Sequence, residues 1–114
     1  MPPSRKIASN LLWTPQGIVR NPLVRVSEEG RIMRVEECPD PDREPLTEFH
    51  AGLLVADFDT DYRAAFARLC STPNRSLAES LPEAVTHKKG ILVVISGIDY
   101  DTLCPTPHAR IERL

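Results

Sequence analysis

Short apolar runs, separated by turn residues, occupy both ends of the chain. In the first half they predict four strands, over residues 7–13, 23–26, 31–36 and 49–55. In the second half they predict a strand over 91–95 and a weakly alternating edge strand over 109–114. We expect the strand at 91–95 to lie at the centre of the sheet, because a continuous apolar run is typical of a strand that is buried on both faces.

The periodicity changes to that of a helix between these two sets of strands. Apolar side chains with helical spacing share one face: Tyr62, Ala65, Phe66, Leu69 and Cys70. Thr60 or Asp61 is suited to cap this helix, and Pro73 would end it. Ser76-Leu77-Ala78-Glu79 has the spacing of a capping box and predicts a short second helix that ends near Pro82.

Length and proline content favour one small β domain. The chain has 114 residues, which is typical of a single domain, and 11 prolines, which lie mostly between the apolar runs. We therefore predict one mainly-β domain over residues 1–114, a small antiparallel β-sandwich-like sheet built from both chain ends. Residues 1–58 and 88–114 would supply the strands, and residues 59–84 would form a helical linker between them.

Composition argues against several kinds of partner and compartment. The longest apolar run is that at 91–95, whereas a membrane-spanning helix needs ~20 apolar residues. The first ten residues lack the apolar core of a signal peptide. The 14 basic and 16 acidic residues leave no basic excess for a nucleic acid. Three cysteines, Cys38, Cys70 and Cys104, form no Cys-x-x-Cys pair, so we expect reduced thiols in a cytoplasmic protein.

Asp57, Asp59 and Asp61 are the acidic residues with ligand-like spacing. A calcium-binding EF-hand loop that began at Asp57 would need glycine and glutamate where Tyr62 and Arg68 stand. Acidic residues ahead of a helix also have a structural explanation, because they interact favourably with the positive end of its dipole. The structural explanation is therefore the expected one.

Histidines and cysteines give no clear catalytic pattern either. His50, His87 and His108 are far apart in the sequence and form no His-x-His or His-Glu-x-x-His pair. A nucleophilic cysteine needs a neighbouring base, and the sequence indicates none. From the residues alone we predict no catalytic, metal-binding or cofactor-binding site.

Several segments, taken in order, carry a resemblance to a known family. At the first end these are residues 5–13, 31–35 and Phe49-His50-Ala51-Gly52-Leu53-Leu54-Val55-Ala56-Asp57-Phe58; at the other they are 72–74, 88–99 and 103–114. Together they resemble the two chain ends of cytosolic amidohydrolases, which pair into a small β-sandwich beside a catalytic (β/α)₈ barrel. In that superfamily a Pro-Gly pair and then a metal-binding His-x-His follow the apolar run that corresponds here to Leu53-Leu54-Val55. Here Ala56 and Asp57 replace the Pro-Gly pair, and Tyr62 and Ala64 stand at the histidine positions.

The resemblance implies a sandwich module that has lost its barrel. Such a module keeps the strands of both ends in one sheet and lacks the metal ligands, so we expect a non-catalytic protein that binds a protein or a small molecule and needs no cofactor. The alternative is a metal-dependent hydrolase of non-peptide carbon–nitrogen bonds, with a site built from the three histidines or the three aspartates named above. A third interpretation is a gene product without a selected function. Because a barrel would cover one side of the sandwich, we also expect a two-fold homodimer.

Overall fold

The fold is seen in a computed structural model that describes residues 5–27, 32–37, 47–72, 74–86 and 90–114. The strands are β1 (Arg5–Thr14), β2 (Gly17–Arg20), β3 (Pro22–Val26), β4 (Ile32–Glu37), β5 (Thr47–Phe58), β6 (Ile91–Ile98) and β7 (Pro105–Arg113). The helices are α1 (Tyr62–Cys70) and α2 (Leu77–Ser80), and a 3₁₀ turn (Leu81–Glu83) follows α2 directly.

All of these strands belong to one seven-stranded sheet of order β4-β3-β1-β5-β6-β7, with β2 paired to β1. Because β5 lies between β1 and β6, strands from the two chain ends share one sheet, and this prediction is confirmed. The described strand pairs are mostly antiparallel, as predicted, and the exception is the pair of β1 and β5, which are parallel. The physical reason is that β5 does not form a hairpin with β4 but pairs with the far side of β1, where a hairpin turn does not dictate the direction.

β1 pairs along one side with two successive strands. Its first half pairs with β3, from Arg5 to Ala8, and its second half pairs with β2, from Leu11 to Thr14. β2 and β3 run in the same direction and are separated by Asn21, whose φ of 50° lies in the left-handed region. β2 was not predicted from the sequence, because a strand of four residues that begins with glycine shows almost no alternation of apolar and polar side chains.

The sheet is irregular where β1 and β5 cross the middle of the domain. Their register shifts between Ser9 and Leu11, and there the side-chain oxygen of Asn10 accepts a hydrogen bond of 2.9 Å from the backbone N–H of Gly52. Gly52 has φ of +134°, and a Cβ atom at this position would lie 2.3 Å from the carbonyl oxygen of Ile95 on β6. Only glycine fits here without displacing backbone, so Gly52 allows β5 to pass this close to β6.

Apolar side chains are buried on both faces of the central strands. One core lies between the sheet and the helices, and its buried residues are Leu11, Trp13, Leu53, Val55, Phe58, Ala65, Leu69, Leu77, Leu81, Ala84, Val93, Ile95 and Ile98. The core on the opposite face consists of Ile7, Leu12, Val24, Val26, Leu54, Leu92 and Val94. The protein is thus a mainly-β, sandwich-like domain in which two short helices cover one face.

The helical segment matches its prediction closely. α1 buries Ala65 and Leu69, as the spacing indicated. Ser76 caps α2, where its hydroxyl oxygen accepts a hydrogen bond of 3.2 Å from the N–H of Ala78. Residues 38–45 and most of 27–30, which we expect to be loops because they separate the predicted strands, fall outside the described residues, and so does Pro73, the predicted end of the first helix.

β6 is the strand whose position differs from the prediction. It lies next to the edge strand β7, while β1 and β5 occupy the centre of the sheet. Side chains of β6 are buried on both faces of the sheet, under the helices on one face and in the second core on the other. This burial explains the apolar run of β6, and it does not require a central position in the sheet. The predicted edge strand at the chain end is confirmed, although it begins earlier, at Pro105.

Candidate functional site

A cavity lies between the β1–β2 turn and the segment that follows α2. Its volume is about 580 Å³. The described residues that line it are Trp13, Thr14, Pro15, Gln16, Gly17 and Ile18 from the hairpin, Asp57 from the end of β5, and Ala78, Pro82, Val85 and Thr86 from the helical segment. We call this cavity the Trp13 cleft.

The hairpin wall of the cleft is fixed by backbone pairing and by a side-chain hydrogen bond. Trp13 lies opposite Ile18 in the β1–β2 ladder, and the hydroxyl of Thr14 donates a hydrogen bond of 2.7 Å to the carbonyl oxygen of Gly17. Trp13 is only 8% exposed, because most of its indole packs into the core beneath the helices. A wall that is held in this way needs little reorganisation when a ligand binds.

The opposite wall is fixed by the core and by hydrogen bonds between loops. Leu77 and Leu81 are fully buried beneath it, and the N–H of Leu77 donates a hydrogen bond of 2.8 Å to the carbonyl oxygen of Leu103. Val85 forms an antiparallel bridge to Phe58 at the end of β5. These contacts hold Pro82 and Val85 as an apolar surface that faces the hairpin across the cleft.

Asp57 stands at the edge of the cleft in an unusual backbone conformation. Its φ is +55°, in the left-handed region, and it lies where the register of β5 and β6 shifts between Val55 and Phe58. Such a conformation in a residue other than glycine costs about 1 kcal/mol or more. The backbone carbonyl of Asp57 accepts a hydrogen bond of 2.9 Å from the N–H of Thr86. Among the described residues, Asp57 is the only charged residue that lines the cleft, and its carboxylate has no ion-pair partner among them.

The other two aspartates of the predicted acidic cluster organise the start of α1. One carboxylate oxygen of Asp59 accepts a hydrogen bond of 2.9 Å from the N–H of Asp61, and the other lies 4.0 Å from the guanidinium of Arg68. Asp61 occupies the N-cap position without a side-chain cap hydrogen bond. Two of the three acidic residues are therefore explained by helix structure, and Asp57 has a separate position in the cleft.

The histidines lie apart as far as the structure describes them. His50 is on β5, where its Nε2 atom is 3.6 Å from a carboxylate oxygen of Glu48. His108 is on the edge strand β7 and is exposed, whereas His87 lies outside the described residues. Tyr62 and Ala64 occupy the first turn of α1. In the parts of the chain that the structure describes, no three His, Cys, Asp or Glu side chains are grouped in a way that would hold a metal ion.

Cys70, at the end of α1, lines a second groove of about 480 Å³ together with residues that include Phe66 and Pro107. Partial burial raises the pKa of the Cys70 thiol, so less of it is ionised at neutral pH and its nucleophilicity is reduced. Cys104 lies in the loop before β7, and Cys38 falls outside the described residues.

A third cavity, of about 290 Å³, contains an unpaired hydroxyl group. Ser80 at the end of α2 lines this cavity beside Ala65 and Leu69. Ser80 is 2% exposed, and its Oγ atom has no hydrogen-bond partner. A buried hydroxyl without a hydrogen-bond partner destabilises a fold, because nothing compensates for its loss of contact with water.

The Trp13 cleft was not predicted from the sequence. The local signal was the dipeptide Trp13-Thr14 directly before a Pro-Gln-Gly turn, which places a large aromatic residue at the tip of a hairpin. The other wall comes from residues about sixty or more positions later, so only the fold brings the two walls together.

Comparison of the chain with models of protein families, with curated proteins and with solved structures gives no match. Within the described ranges no helix has both the length and the apolar character to cross a membrane.

Proposed function

We propose that this protein is a non-catalytic binding module, related to the small domain of amidohydrolases, that holds a small organic molecule in the Trp13 cleft. The proposed relationship rests on the resemblance of the sequence segments. It is supported by the β1-β5-β6 order, in which the two chain ends form one sheet, as the resemblance implies. The proposal takes the compartment to be the cytoplasm, on the basis of the expected reduced thiols.

The observation that carries the binding proposal is the cleft itself. Its volume of about 580 Å³ lies within the ~300–1,000 Å³ range of small-molecule sites. Its walls are formed mostly by apolar side chains and prolines, with a few polar groups at the edge, and this is the usual composition of such sites. Both walls are anchored in the core that lies under the helices, so the cleft exists before a ligand arrives.

Amide NMR spectra with a set of small aromatic fragments test this proposal. We expect the fragments to shift the backbone signals of the hairpin tip, from Gln16 to Ile18, and that of Thr86. The variant Ala78→Trp fills the cleft and should abolish these shifts. Ala67→Trp is the matched control, because Ala67 lines the second groove instead. Fragments that bind elsewhere, or that still bind Ala78→Trp at the hairpin, would contradict the proposal.

The alternative proposal is a metal-dependent hydrolase of non-peptide carbon–nitrogen bonds. It requires several donor side chains around one metal ion, with one coordination position open for water or substrate. Metal analysis of the protein purified without chelators separates the two proposals. Near-stoichiometric zinc, iron or manganese, together with hydrolysis of an amide or imine, would support the hydrolase and would count against the binding module.

We also propose that the protein is a two-fold homodimer. One face of the sheet is covered within a single chain, because α1, α2 and the 3₁₀ turn all pack on the core between the sheet and the helices. Exposed apolar side chains nevertheless remain on two strands: Met33 on the edge strand β4 is 67% exposed, and Phe49 on the central strand β5 is 53% exposed. A second copy that covers such side chains would remove them from water.

A further inference from the structure

We infer, on the basis of the proposed function of the Trp13 cleft, that its ligand is an organic cation, an apolar body that carries a protonated amine held by Asp57. The cavity has the volume and composition for a small molecule, and the charge on its described lining favours a cation. Among the described lining residues Asp57 carries the only formal charge, and that charge is negative.

The surroundings of Asp57 leave its carboxylate available to a ligand. The described arginines that form ion pairs are Arg5, Arg34, Arg68 and Arg75, and their carboxylate partners are other residues. Asp57 itself is exposed at the edge of the cleft. A cation that enters the cleft would meet this negative charge, and because the carboxylate is exposed its attraction should weaken as the salt concentration rises.

The backbone around Asp57 holds this charge in a fixed place. The carbonyl of Asp57 is bonded to the N–H of Thr86, and the N–H of Asp59 donates a hydrogen bond of 2.9 Å to the carbonyl of Ala84. The bridge between Phe58 and Val85 lies between these two hydrogen bonds. Three successive contacts thus maintain the left-handed conformation of Asp57. The backbone of Asp57, from which the carboxylate extends, is therefore fixed relative to the walls of the cleft.

The remaining lining favours a ligand with an apolar body over a small hydrated ion. Trp13 and Ile18 on one wall face Pro82 and Val85 on the other, and a hydrated ion would gain nothing from these surfaces. An aromatic or aliphatic amine satisfies both parts of the site, because its carbon atoms occupy the apolar space and its ammonium group pairs with the carboxylate.

Three probes of similar size and different charge test the inference: benzylamine, benzyl alcohol and benzoate. Trp13 is the single tryptophan of the chain, so its fluorescence reports on the cleft directly. We expect benzylamine to bind about five- to tenfold more tightly than benzyl alcohol, and benzoate to bind most weakly. Asp57→Asn should remove the preference for benzylamine and keep the backbone conformation, because asparagine tolerates positive φ. Asp101→Asn, in the exposed loop before β7, is the control with the same change of charge and should behave like the wild type.

The outcomes separate this inference from the proposed function. If benzyl alcohol binds and Ala78→Trp blocks it, but benzoate binds as tightly as benzylamine or Asp57→Asn keeps the preference for the amine, the cation inference is wrong and the cleft remains a binding site. If none of the three probes changes Trp13 fluorescence at millimolar concentration, both the inference and the proposed function are contradicted.

Discussion

Replacing Gly52 by alanine should destabilise the protein far more than the same change at Gly17. Both glycines have positive φ, +134° at Gly52 and +143° at Gly17, so both substitutions force alanine into an unfavourable backbone conformation. The two sites differ in the space that is available to the new methyl group. At Gly17 it would meet no atom within 4 Å, whereas at Gly52 it would lie 2.3 Å from the carbonyl oxygen of Ile95.

The loss of stability in each variant follows from the backbone conformation and from the space for the new methyl group. The conformational penalty at Gly17 is about 1–2 kcal/mol, the usual cost of a non-glycine residue at positive φ. Gly52→Ala should cost the same amount plus about 1–3 kcal/mol, because the backbone of β6 must shift to relieve the contact. The sum, about 2–5 kcal/mol, is a large fraction of the ~5–15 kcal/mol that stabilises a typical domain.

Urea unfolding followed by Trp13 fluorescence and by circular dichroism measures the difference. Agreement between the two probes would show that a single transition is being compared. We expect both variants to unfold at lower urea concentration than the wild type, and Gly52→Ala at a much lower concentration than Gly17→Ala. Equal losses in the two variants would mean that the close approach of β5 and β6 at Gly52 is not a real constraint.

Three further predictions concern stability and assembly. Ser80→Ala should keep or raise the free energy of unfolding, by up to about 1 kcal/mol, because it removes a buried hydroxyl that has no partner; a lower free energy of unfolding than that of the wild type in urea would refute this. Glu48→Gln should cost less than about 1 kcal/mol at pH 7, because the bidentate pair with Arg5 is about 40% exposed. Hydrogen bonds from Arg5 lower the pKa of Glu48 in the folded protein, so the stabilisation by this pair is present above the pKa of an unfolded glutamate and disappears as the pH falls through the folded pKa. The unfolding curves of the wild type and of Glu48→Gln should therefore converge in acid. A difference in stability that stays constant with pH would contradict a stabilising Arg5–Glu48 pair. Light scattering at micromolar concentration should give twice 12.7 kDa, and Phe49→Glu should lower that mass if the exposed apolar surface forms the dimer; a monomer at every concentration would exclude the dimer.

Local patterns in the sequence predicted the elements whose structure is determined locally. The helical spacing from Tyr62 to Cys70 gave α1 with its bounds, since an amphipathic helix carries its full signal within a few turns. The cap at Ser76 was predictable for the same reason, because the hydroxyl bonds an N–H two residues away. Five of the seven strands had apolar runs long enough to detect, and the edge strand β7 was detected only in its second half.

Features that depend on pairing between distant segments were not predictable. The parallel β1–β5 pair and the position of β6 beside the edge are choices of partner, and side-chain alternation does not encode the partner. Gly52 appeared in the sequence as one more glycine within a strand. Its role depends on the carbonyl of Ile95, which only the assembled sheet brings close.

The candidate site was also predictable only where its residues carry a local pattern. Asp57 was noticed as the first of three alternating acidic residues, and that spacing suggested one cluster. A shift of register at the end of β5 separates Asp57 from Asp59, which turns towards α1. The cleft itself joins the hairpin tip to the segment after α2, so no local pattern could reveal it.

A crystal of the protein soaked in benzylamine gives the most direct test of the binding proposal. We expect ordered density for the ligand between Trp13 and Pro82, with its ammonium nitrogen within hydrogen-bond distance of the Asp57 carboxylate. Ordered benzylamine only in the groove beside Cys70, or no ordered ligand at a concentration that saturates the protein in solution, would contradict the claim that the Trp13 cleft is the binding site.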